Sequence, residues 1–98
     1  MRKQLDYNII VFSGDIASID EVRTGTSKNG TEWSKRTFSV TCKYDFKTQR
    51  RFFCTLWGES ASMLNNLCVG EPVTVVGSAT SYKSQNGWRE QVEVKTVF

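Results

Sequence analysis

The chain has 98 residues, 39% hydrophobic and 23% charged, with 13 basic against 10 acidic side chains and a net charge of +3. That is the length of one domain, residues 1–98, with a modest core, and the composition is globular rather than disordered. There is no histidine, so Cys–His and Ser–His catalysis are excluded. Cys42, Cys54 and Cys68 form no CxxC pair and leave a zinc site short of ligands.

No apolar run approaches the ~20 residues that span a bilayer. The opening MRKQLDYNIIVF is too short in its apolar part for a signal sequence, so the chain reads as intracellular with reduced thiols. NIIVFSGDI, residues 8–16, is a β-rich run with apolar residues on both faces, and Gly14 marks a bulge or bend. RTGTSKNG, residues 23–30, is turn chemistry. It lacks the spacing of a phosphate-binding loop and has no long helix after it.

EWSKRTFSVTCKY alternates, with Phe38, Val40 and Cys42 on the core side and Lys35, Thr37, Ser39 and Thr41 on the wet side. A polar connection, DFKTQ, joins it to RRFFCTLWG, residues 50–58, as a hairpin. There Phe52, Cys54 and Leu56 form an ordinary core face, while Arg51, Phe53, Thr55 and Trp57 share the other. ESASMLNNLCVG, residues 59–70, predicts a short helix with Gly70 as its C-cap. EPVTVVGSATSY and WREQVEVKTVF are two further strands joined by the hairpin turn SQNG; Val73, Val75 and Gly77 share one face of the first, and the second offers Val92 and Val94 to the core. Three strands, a short helix and two strands predict an all-β fold with one short helix, a five-stranded Greek-key OB-fold barrel. A five-stranded SH3-like barrel is the nearest competitor, but it usually has at most one helical turn at that place.

Cations and rings cluster. From Lys35 to Arg51 six basic residues face one acid, Asp45, a local excess of +5 that can attract polyanions; a solvated hairpin is the bland alternative. Phe53 and Trp57 beside Arg51 are either a subunit contact or a second small core, or else platforms for unpaired bases. In YKSQNGWR, Tyr82 next to Lys83 and Trp88 next to Arg89 flank one turn, suiting rings for bases and cations for phosphates, or else packing across the hairpin. Trp33, near Lys35, either stacks on a base or packs at an edge, and Tyr44 or Phe46 lies on the same path. The acids are scattered, so no metal site is assembled.

Taken together, NIIVFSGDIASIDEVR, FSV, CTLWGESAS, VGEPVTVVGSATSY, the following NG and EVKTV resemble, in order, the strands of bacterial and phage single-stranded DNA-binding proteins over most of the chain. The resemblance implies stacking at Trp57 and Tyr82, contacts at Arg51 and Phe53, and an approximate match of Phe46 to another stacking position. It implies no enzymatic activity and no cofactor. It also implies a homo-oligomer, dimer or tetramer, in the cytoplasm of a bacterium or phage-infected host, acting with replication or repair proteins. The family usually ends in a flexible linker and acidic tip; this sequence stops at EVKTVF, like a trimmed chain or a tailless relative such as the primosomal replication-restart OB protein. The expected single-stranded-DNA-binding set is Trp33, Lys35, Phe46, Arg51, Phe53, Trp57, Tyr82, Lys83, Trp88 and Arg89. The alternative is a primosomal-type protein-interaction module whose Phe53/Trp57 face is covered by a partner.

Overall fold

A computed structural model describes residues 8–43, 45 and 47–98. In chain order the elements are β1 (Ile10–Ile19), β2 (Arg23–Thr26), β3 (Glu32–Lys43), β4 (Gln49–Trp57), a 3-10 helix (Gly58–Leu64), β5 (Pro72–Ser84) and β6 (Gly87–Val97). The sheet runs β1-β5-β6-β4-β3-β2, and an additional β1–β3 pairing closes five of its strands into a ring, leaving β2 outside on β3. All pairings are antiparallel except β4–β6. This is the all-β, five-stranded Greek-key OB barrel.

Closure depends on β1 serving two neighbours. Ile10–Asp15 pair with β5, and Asp15–Ile19 pair with β3 across a register shift between Ile16 and Ser18. Gly14 sits just before the handover. A Cβ there would meet the Thr41 carbonyl oxygen at 2.3 Å, so the crowded crossing admits only a hydrogen. The bend read from the sequence at Gly14 is therefore a close approach, with the irregularity itself a few residues later.

Inward-facing residues of every barrel strand make the core: Ile16, Phe38, Val40, Cys42, Phe52, Cys54, Leu56, Val73, Val75 and Val92. Val94 packs against it partly buried. Leu64 and Ala61 of the 3-10 helix are buried, and Leu64 joins the core cluster. Removing one such leucine from water contributes ~1.5–3 kcal/mol, enough to seat a helix too short to stand alone.

Two elements differ from expectation. The helix ends at Leu64 rather than near Gly70, and it is 3-10 throughout. Gly70, at φ +94°, instead turns the chain into β5, with its N–H donating to the Ile16 carbonyl at 2.8 Å. The stretch expected as a turn contains β2, held to β3 through Arg23–Lys35, Thr24–Ser34, Gly25–Trp33 and Thr26–Glu32. Among the described residues no helix is long and apolar enough to cross a membrane.

Candidate nucleic-acid interface

The wet sides of β3 and β4 lie together on the outside of the barrel because their register pairs Lys35 with Trp57, Thr37 with Thr55, Ser39 with Phe53 and Thr41 with Arg51. The rings here are exposed: Phe53 58%, Trp57 46% and, from the neighbouring hairpin, Tyr82 46%. A groove on this face brings together Lys35, Phe53, Tyr82 and Arg89, with Thr37, Thr55 and Gln91 also along it. Thr55, itself buried, donates through Oγ1 to Gln91 Oε1 at 3.2 Å, tying β4 to the hairpin. Asp20 and Glu90 also border the groove, and Asp20 Oδ2 accepts from the Thr37 hydroxyl.

A second groove begins where the first meets the Lys35–Trp57 pair, and it is lined by Trp33, Trp57, Gly25 and Glu59 among others. Trp33 and Trp57 stand edge to face with centroids 6.2 Å apart, and Lys35 Nζ lies 5.4 Å from the Trp57 ring. Trp33 is 39% exposed, and its ring rests on Gly25 of β2. A Cβ at residue 25 would come within 2.4 Å of Trp33 Cζ2. Trp33 is thus packed on Gly25 with part of its ring left exposed.

Alternation along β4 separates the adjacent arginines. Arg50 lies with its guanidinium carbon 4.7 Å from the Phe52 ring and makes an ion pair with Glu90 at 3.4 Å. Arg51 points to the outer face, 5.5 Å over Phe53. Its Nε donates to Ser39 Oγ at 3.0 Å and its Nη2 to Ser18 Oγ at 3.3 Å, while the two serine hydroxyls bond each other at 2.6 Å. Neutral oxygens fix the guanidinium without cancelling its charge. Among the described residues the Arg50–Glu90 pair is the sole salt bridge, so Lys35, Arg51, Lys83 and Arg89 carry uncompensated charge there.

The β5–β6 hairpin does not put all its expected residues in the groove. Tyr82 pairs with Arg89 and Lys83 with Trp88. Directly opposed residues share a side and successive residues alternate, so Lys83 and Trp88 lie on the ribbon face opposite Tyr82 and Arg89. Packing of Tyr82 on Trp88 across the hairpin is therefore not how these rings are arranged. Phe46, with Tyr44, lies outside the described residues. Ser18, Ser39 and Gly25 are the contributors that sequence reading did not single out. Ser39 shares the outward parity of Lys35, but Ser18 reaches the site only through barrel closure.

The Cys42 and Cys54 thiols are buried. Burial pushes the Cys42 thiol up, and burial together with nearby Cys42 pushes Cys54 up to about 12. In the β3–β4 connection, the Lys47 and Thr48 backbone N–H groups donate to Asp45 Oδ1, both at 2.7 Å, and hold its carboxyl below the usual range. No group of three or more His, Cys, Asp or Glu gathers among the described residues to hold a metal ion.

No protein-family model and no curated protein sequence matches this chain. Solved structures do. The mitochondrial single-stranded DNA binding protein Rim1 of S. cerevisiae superposes with a TM-score of 0.70 at 20% identity, covering 96% of this chain and 94% of Rim1. The SSB domain of a Synechococcus protein gives 0.69 at 13% identity over 97% and 98% of the two chains. The single-stranded DNA binding protein of Thermus aquaticus gives 0.69 at 13% identity over 94% of this chain, which spans only 39% of the Thermus protein. At these identities the likeness is one of fold: the chain is built on the same OB barrel as these single-stranded DNA binding proteins.

Proposed function

We propose that this protein is a non-enzymatic member of the single-stranded DNA-binding OB-fold family that binds single strands with little sequence preference. In this reading it protects them during replication, recombination or repair, in the cytoplasm of a bacterium or of a phage-infected host. The observation that carries the reading is the groove in which exposed Phe53 and Tyr82 lie with the cations Lys35 and Arg89, continued by Trp57 and bordered by Arg51 over Phe53. Rings accept any base because every base has a π-face, with each stacked base contributing about 1–3 kcal/mol. Cations displace the counterions of the phosphates, so attraction is strong at low salt and weak at high salt. In a duplex the base faces are occupied by neighbouring bases, so only unpaired strands can use the rings. The names of the structural neighbours support the same ligand.

Association of copies fits the exposed apolar side chains Ile9 and Val11 at the start of the barrel's first strand. Replication or repair proteins are the partners this role would bring.

Titration with oligo-dT while following tryptophan emission tests the reading. Quenching is expected in the native protein, and Trp57→Ala should weaken binding about fivefold or more, the low end for a lost stack. Absence of quenching and of binding would contradict it and leave the Phe53/Trp57 face to a protein partner.

A further inference from the structure

We propose that the β5–β6 ribbon engages single-stranded DNA on both of its faces, with Lys83 and Trp88 receiving a further stretch of the strand that has passed Tyr82 and Arg89. The inference rests on the reading of the groove as a single-strand path and extends it to a surface outside that groove.

Among the described residues the ribbon is open on both sides. The β1–β5 ladder ends at Ile10–Gly77, and two residues further on the Asn8 side chain makes two bonds to the Ala79 backbone. Pairing of β6 with β4 is confined to Val92 and Glu93. Between Thr80 and Gln91 the two strands pair with each other and with no other described strand. A two-stranded ribbon of this kind is marginal by itself. Polar residues would suffice to cover it, yet Trp88 is 71% exposed. A ring this exposed is open to a stacking ligand.

The chemistry of the two faces is the same. On the groove side an aromatic, Tyr82, is opposed by a cation, Arg89; on the far side a cation, Lys83, is opposed by an aromatic, Trp88. Glu90, which borders the groove and by alternation also shares the side of Trp88, is engaged by Arg50, so Lys83 is left as an uncompensated charge among the described residues. A ring beside a free cation is what a nucleotide needs: a surface for the base and a counter-charge for the phosphate. A protein partner for Trp88 alone would not call for repetition of the groove's pairing on the opposite side. Because no other described strand pairs with the ribbon's edges, a strand leaving Tyr82 can cross over it to reach Trp88.

The consequence is a dependence on length. Oligo-dT of about 6 nucleotides fills the groove only, whereas one of about 20 exceeds the ~4–16 nucleotides that one OB fold holds and reaches the far face. Binding of both oligomers is measured by fluorescence polarisation for the native protein, Tyr82→Ala, Trp88→Ala, Trp88→Phe and Lys83→Ala. Tyr82→Ala is expected to weaken both oligomers. Trp88→Ala is expected to weaken the long one about fivefold or more and the short one less than twofold, with Trp88→Phe restoring most of the loss. Lys83→Ala should flatten the salt dependence for the long oligomer alone. Equal losses for both lengths in Trp88→Ala would overturn the proposal by placing Trp88 on the groove path. No loss at either length would overturn it in favour of another occupant, such as a protein. If the native protein binds neither oligomer, the single-strand reading itself fails, a result distinct from the other two.

Discussion

Two neighbouring arginines show how much a single side chain's setting decides. Arg50 and Arg51 differ by one position, and the strand's alternation sends them to opposite sides. Arg50 meets a carboxylate, whereas Arg51 meets two hydroxyls. An exposed ion pair adds little stability and spends its charge locally. A guanidinium fixed by neutral acceptors keeps its charge for an incoming anion and gives up less freedom when one arrives. Cys54 shows the converse, a reactive group silenced by its surroundings. Its thiol titrates near 12 in the folded barrel against an ordinary 9.0. The folded state therefore holds this proton more tightly than the unfolded chain. The resulting stability is fully present below pH 9.0 and is lost as pH rises toward 12. Denaturant melts at increasing pH should show a midpoint that falls above about pH 9 in the native protein and falls less in Cys54→Ala. An identical alkaline decline in both would contradict the assignment to this thiol.

At the scale of elements, β2 acts as a shelf. Its four residues add little core, but Gly25 offers bare backbone to the Trp33 ring, which in turn stands edge-on to Trp57. Gly25→Ala should push the indole aside, since the clash falls on a side chain that can move, with a stability change of about 0.5 kcal/mol or less as for other surface sites. Tryptophan emission should shift and oligo-dT affinity should fall about threefold, a part of one stacking contact. Unchanged emission and affinity would show that Trp33 needs no support. This shelf was not legible in the sequence, because RTGTSKNG carries turn chemistry and its pairing with β3 is decided by contacts made in the fold. The faces of β3 and β4 were legible, since alternation alone places Phe38, Val40, Phe52 and Leu56 inside and Arg51, Phe53 and Trp57 outside. The hairpin was legible in its turn but not in its faces. Whether Tyr82 opposes Trp88 or Arg89 depends on the closing pair, here Ser84–Gly87, and a shift of one residue exchanges the sides. The helix was foreseen in place but not in length, because Leu64 alone anchors it in the core cluster and Leu67 packs there only partly buried.

At the scale of the molecule, barrel closure does what local sequence cannot. It carries Ser18 of β1 to Arg51 of β4 and sets the β5–β6 hairpin beside the outer face of β3 and β4, so that Tyr82 and Arg89 complete a groove begun by Lys35 and Phe53. The fold class was readable from element order, and the solved single-stranded DNA binding proteins share it at 13–20% identity. The central claim is that rings and cations on one surface take the place of a complementary strand. A competition assay with labelled oligo-dT against unlabelled single strand and duplex of equal length, repeated over a range of salt, tests this most directly. The account predicts that single strand displaces the label at far lower concentration than duplex. It also predicts that log affinity falls with log salt at a slope of roughly −2, about −0.7 for each phosphate met by Lys35, Arg51 and Arg89. Equal displacement by duplex, or an affinity indifferent to salt, would contradict it.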